Sequence, residues 1–168
     1  RLVGVVRAGR LEAAGGRQTV LVITAPSALL ALTMYPTWEV LHRDREHRID
    51  LLQIGRRSVE WQRETDKAAL VTFGSPPLLS NRYEKMFHTA KPSPPPGSTF
   101  TAVEFTATVI ESEPAGIRTV RLRFNRSLDD PTYRFLAWEA GKFRRVTLPP
   151  VGGTRSIAAP LPIVPCAP

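Results

Sequence analysis

The sequence predicts an α+β protein: a small mixed α/β first part packed with a C-terminal antiparallel β meander or sandwich. Three observations carry this expectation. The β-branched run Val20-Leu21-Val22-Ile23 passes through Pro26 into an Ala/Leu-rich stretch, the pattern of a buried strand followed by a helix. Beyond residue 98 the hydrophobic period becomes two, as in half-buried strands. Residues 124–153, FNRSLDDPTYRFLAWEAGKFRRVTLPPVGG, read as two or three antiparallel strands with their turns and hold no arrangement of residues suited to catalysis.

Taken in order, residues 1–18 are rich in Gly, Ala and Arg and read as a linker entering the fold. Residues 19–38, TVLVITAPSALLALTMYPTW, are uncharged and long enough to consider as a membrane span. Pro26 and Pro36 interrupt the run and Thr24, Ser27, Thr33 and Thr37 dilute it, so strand, turn and buried helix is the favoured reading and the span its alternative. Pro36 can open a further helical turn carrying Trp38, Val40 and Leu41, and residues 42–48 form a charged loop. Residues 49–54 and 58–62 then read as strands around Gly55-Arg56-Arg57, with Val59 and Trp61 on one face and Glu60 and Gln62 on the other.

Residues 68–73 are a short apolar strand closed by Gly74-Ser75-Pro76-Pro77. A helix is expected over 78–88, where Leu79, Tyr83, Met86 and Phe87 share a face. The Pro-rich residues 92–98 mark the boundary between a first part, 19–91, and a β module, 99–150. Within the module, 99–110 alternates Val103, Phe105, Ala107 and Val109 with polar residues, and 117–124 alternates Val120, Leu122 and Phe124 with Arg121 and Arg123. These strands join through Glu113-Pro114-Ala115-Gly116, with Phe105, Leu122 and Phe124 expected in the core. A hairpin follows, 133–139 and 142–148 around Ala140-Gly141, and a Pro-rich tail over 151–168.

Size and composition fit one domain with an ordinary core: 168 residues, 42% hydrophobic, with sixteen prolines gathered in loops and the tail. The formal charge of +8 is dispersed. Residues 1–98 contribute +5 and residues 99–150 contribute +2, with acids among the bases, which fits a solvated surface better than a dedicated nucleic-acid stripe. The single cysteine, Cys166, cannot form an internal disulfide or a cysteine zinc site alone. The chain opens on Arg1 rather than Met, which suggests a fragment or a processed product.

Candidate chemistry is thin. Ser27 opens a helix after a strand, but lacks the glycines of a nucleophile elbow; with His88 it defines a hydrolase reading kept only as the last alternative. Ser75 lies in a turn without that frame. His42, Asp44, Glu46 and His47 cluster without a trusted ligand spacing, so no metal is expected, and the glycine pairs form no phosphate loop, so no cofactor is expected. Asp129-Asp130-Pro131 reads as a turn. The best functional surface is a basic-aromatic face of Arg121, Arg123, Arg134, Trp138, Arg144 and Arg145, suited to lipid head groups, anionic glycans or single-stranded nucleic acid.

The segments RLRFNRSLDDP, RFLAWEAGKFRRV and PPVGG, preceded by VLVITAPSALLALTMYP, HRIDLLQIGRRSVEW and LLSNRYEKMFH, resemble the C-terminal extracytoplasmic domain of an uncharacterised family of bacterial polytopic membrane proteins. The likeness covers residues 19–153 and rests on strands and turns. It implies a membrane-tethered domain on the extracytoplasmic side, with the membrane-embedded part of the same protein or a membrane partner beside it, and it supplies no catalytic residues. A cytoplasmic location, and a soluble basic β module binding nucleic acid or another polyanion, is the alternative if the chain is complete.

Overall fold

The computed structural model describes residues 18–27, 33, 47–80, 84 and 93–161. Ten strands are defined among them, arranged in two sheets that belong to two separate units. The first unit takes residues 1–56, 131–146 and 159–168; the second takes 57–130 and 147–158.

In the first unit, β1 (Gln18–Thr24) lies between two parallel neighbours, β2 (His47–Leu51) and β8 (Tyr133–Glu139), and β9 (Lys142–Arg145) closes the order β2-β1-β8-β9 antiparallel to β8. A strand flanked by parallel partners loses water on both faces. β1 is accordingly buried along its whole length, and so is β8 up to Trp138. Val20, Val22, Ala25, Leu136, Trp138 and Phe143 form one core cluster, with Ile49 and Leu51 packed against it. The β8–β9 turn places Ala140 at φ 48° and Gly141 at φ 80°, the left-handed pair that matches strand twist in a two-residue hairpin.

The second unit is one six-stranded antiparallel sheet in the order β10-β3-β4-β7-β6-β5. Its strands are β3 (Val59–Arg63), β4 (Ala68–Phe73), β5 (Thr99–Thr101), β6 (Phe105–Glu113), β7 (Gly116–Phe124) and β10 (Thr154–Ile157). Alternation sorts most of the residues, with Ala68 and Thr119 buried out of phase. Val59, Trp61, Ala69, Val71, Phe73, Val109, Val120, Leu122, Phe124 and Ile157 are buried on one face. Phe124 sits between Trp61 and Phe105, with ring centroids 6.5 and 5.4 Å away.

Two buried arginines brace this unit. Arg57 donates from both terminal nitrogens to the Glu84 carboxylate and from Nε to the Pro76 carbonyl at 2.9 Å. Arg63 donates from Nη1 to Asp129 Oδ1 at 2.8 Å and from Nη2 to Oδ2 at 2.5 Å, and from Nε to the Thr65 carbonyl at 3.2 Å. The hydrogen bonds from Arg63 hold the Asp129 carboxyl below its usual range, and the same pairing raises the Arg63 guanidinium.

The expected α+β class is overturned: the described elements are all strands, in two sheets, without a helical first part. The helices expected at 28–32 and 36–41 lie outside the described residues, as does most of the one at 78–88; Thr33, just past the first of them, is helical. At its described start the 78–88 segment is not helical, because Leu78 forms an antiparallel bridge with Ile117 and Leu79 has φ 65°, while Glu84, described further on, is helical. The charged stretch 42–46 also lies outside the described residues, while His47 and Arg48 begin β2 rather than extending a loop. The expected long strand 99–110 is two strands, β5 and β6, reversing at residues 102–104, which puts Val103 in solvent at 56% exposure. Phe105, expected in the core, is half-buried, whereas Leu122 and Phe124 are buried.

The presumed cut at 92–98 falls inside the second unit, between β4 and β5. The hairpin 133–145, assigned from sequence to the meander, instead completes the sheet of β1. Sequence periodicity fixes that a segment is a strand, but the choice of partner is a long-range matter that periodicity does not encode.

Candidate binding face

The solvated face of the six-stranded sheet is built by the other half of the same alternation. Cross-strand register sorts it into three rungs. Thr101, Thr106, Arg123 and Ala68 form one; Thr99, Thr108, Arg121, Leu70, Gln62 and Thr154 form the next; Glu111, Thr119, Thr72, Glu60 and Ser156 form the third. Seven threonines therefore share one sheet face, a use of β-branched residues that suits a pleated, half-exposed surface. Thr72 and Thr119 bring their hydroxyl oxygens to 3.4 Å, and the Thr119 hydroxyl donates to Glu111 Oε2 at 3.2 Å.

Arg121 and Arg123 stand on this face, as the alternation of β7 requires. Arg121 is spoken for: its Nε and Nη2 donate to Glu64 Oε2 and Oε1 at 2.7 and 2.9 Å. Those hydrogen bonds, with the Coulomb attraction of Glu64, raise the guanidinium above its usual value. Arg123 is exposed and flanked by Ala68 and Thr106, neither of them an acid. An open cleft of about 660 Å³ forms at this corner, where Glu64, Asp66, Lys67, Arg121, Arg123 and Asn125 meet.

The remaining four residues of the expected basic-aromatic face belong to the first unit's sheet. Arg134 is buried and donates to the carbonyls of Pro131 at 2.8 Å and Tyr133 at 3.3 Å. Trp138 is buried edge-on against Phe143, centroids 5.1 Å apart, so it offers no stacking surface. Arg144 and Arg145 are exposed on β9, the edge strand, where charge discourages pairing with a stray strand. Alternation sends the two to opposite faces.

Other candidates fare as follows. Ser27 is half-buried just past β1, and His88 lies outside the described residues. Ser75 is exposed, and Asp129 serves Arg63. His42, Asp44 and Glu46 lie outside the described residues; among those described, no group of three or more His, Cys, Asp or Glu is placed to hold a metal ion. For the proposed membrane span, residues 18–24 form β1, and among the described residues no helix is long and apolar enough to cross a membrane.

Glu64, Lys67 and the threonine rungs escaped the sequence reading. The motifs TFT, FTAT and VRLRF carried the signal for the face, but joining them needed the strand register, and Glu64 lies 57 residues from its arginine.

Fold and face together define a β-rich protein of two sheets, one of which presents an open polar surface with a basic corner. Compared with protein-family models, curated proteins and solved structures, the chain finds no match in any of the three.

Proposed function

We propose that this chain is a non-catalytic interaction domain, carried on the extracytoplasmic side by a bacterial membrane protein, which engages its partner through the threonine-and-arginine face of the six-stranded sheet. One observation carries the reading: three aligned rungs, rich in threonine with Arg121, Arg123 and Gln62 among them, share the partly solvated face of one sheet, interrupted by Ala68 and Leu70 and with Thr119 buried. Such a surface offers many hydrogen-bond donors held in register by the backbone, which favours polar recognition over burial of an apolar partner. Charged side chains supply further support. Buried Arg57 and Arg63 are matched to carboxylates as architecture, whereas exposed Arg123 on this face has no acid as a cross-strand neighbour. The membrane-embedded part of the same protein, or a membrane partner, is the proposed neighbour.

The lone cysteine supplies the test. In a version of the native protein whose sole cysteine is Cys166, a membrane-impermeant maleimide should label intact cells as fully as lysed ones. Labelling only after lysis would remove the extracytoplasmic placement. The hydrolase alternative requires a turnover that Ser27→Ala abolishes; a turnover unchanged by that substitution would remove it.

A further inference from the structure

Arg121 and Arg123 sit about 7 Å apart along β7, on one face, in opposite electrostatic circumstances. Glu64 neutralises the first through two parallel hydrogen bonds. The second faces Ala68 on β4 and Thr106 on β6, so neither cross-strand neighbour is acidic, and Arg123 and Ala68 both line the open cleft. Lys67, the residue before Ala68, lines the same cleft and is likewise exposed. Its backbone is fixed on both sides: the amide donates to Thr65 Oγ1 at 3.2 Å and the carbonyl accepts from Phe124 N at 2.8 Å.

The geometry points to an oxyanion site in this cleft, taking a phosphate or sulfate ester on the Arg123 guanidinium, with Lys67 at the cleft's rim as a further positive charge. An arginine fork offers paired N–H groups matched to two oxygens of such a group, and the lysine adds a point charge. The Thr106 hydroxyl stands beside Arg123 in the same rung. Glu64 does not defeat the site, because its charge is cancelled by Arg121, whose Nη1 is left over from that pairing. Asp66 also lines the cleft and weakens it, so the site is a modest, salt-sensitive one. This rests on the interaction reading and names the chemistry of the partner.

The test uses the full 168-residue chain. Glycerol phosphate is titrated while the Arg123 side-chain N–H signal is followed by NMR, and co-sedimentation is measured with phosphatidylcholine vesicles with and without phosphatidic acid. Arg123→Gln should weaken binding by about tenfold, the loss of one charge-assisted contact, Lys67→Gln should weaken it by a smaller factor, and Asp66→Asn should strengthen it severalfold. Arg123 and Lys67 are exposed, so melting curves of the variants should overlay the parent's. Binding of the soluble ester identifies a free ligand; binding only to the anionic vesicles identifies a lipid head group; either supports the site. Absence of binding to both, or binding that survives Arg123→Gln unchanged, overturns it. Loss of binding in Arg144→Gln but not Arg123→Gln also overturns this site, while leaving the interaction domain standing. A preference for single-stranded oligonucleotide with no affinity for the ester or the vesicles would do the same.

Discussion

Arg121 and Glu64 are joined by two parallel hydrogen bonds, Nε to Oε2 at 2.7 Å and Nη2 to Oε1 at 2.9 Å, between β7 and the turn that follows β3. The pair explains why two arginines of one strand face differ in function. Arg121 is anchored and Arg123, two residues on, keeps its charge for solvent or a ligand. Because the Arg121 side chain remains 43% exposed, the pair adds little to stability. Glu64→Gln should cost less than about 1 kcal/mol in urea unfolding while making the cleft more attractive to anions. A loss of several kcal/mol would mean that the pair is a structural brace.

Asp129 and Arg63 form the pH-sensitive counterpart. The folded carboxyl titrates below its unfolded value, so its stabilising contribution is complete above the ordinary aspartate range and is lost as pH falls through the folded value. The Asp129 side chain is 72% exposed, which screens the interaction; about 1 kcal/mol at neutral pH is expected. Thermal melts of the parent and Asp129→Asn should therefore differ at pH 7 and converge in strong acid. Parallel curves down to pH 2 would contradict this.

Leu122 is fully buried at the centre of the second sheet, paired with Ala69 on one side and Ala107 on the other. Two alanine neighbours leave no large side chain able to fill the gap. Leu122→Ala should cost about 2–5 kcal/mol by chemical denaturation.

Gly116 opens β7 where the chain approaches itself closely. A Cβ there would lie 2.2 Å from the Leu78 carbonyl oxygen, a backbone atom tied into the Leu78–Ile117 bridge by hydrogen bonds of 2.8 and 2.9 Å. Gly116→Ala should cost about 1–3 kcal/mol, since the bridge must shift. Gly141 is the control: a Cβ meets nothing within 4 Å, and only its φ of 80° opposes substitution. Gly141→Ala should cost about 1 kcal/mol. Equal losses at both positions would argue against the close approach.

Most strands were legible in the sequence: the apolar run 20–23, the alternation of Val59-Glu60-Trp61-Gln62, and the hairpin turning at Ala140-Gly141 all appear where local chemistry put them. What each strand pairs with was not legible. β8 and β9 follow β7 in sequence yet join β1, more than a hundred residues earlier, and β10 returns to β3. Of the expected basic face, alternation alone put Arg121 and Arg123 on the polar side of β7, whereas tertiary packing buried Arg134 and Trp138. The reason is physical. Alternation and turn propensity are set by neighbours a few residues away, so the chain declares them locally. Pairing, the Glu64 contact and the cleft beside Arg123 depend on which surfaces meet once the apolar faces are withdrawn from water, and that choice is made by the folded molecule as a whole.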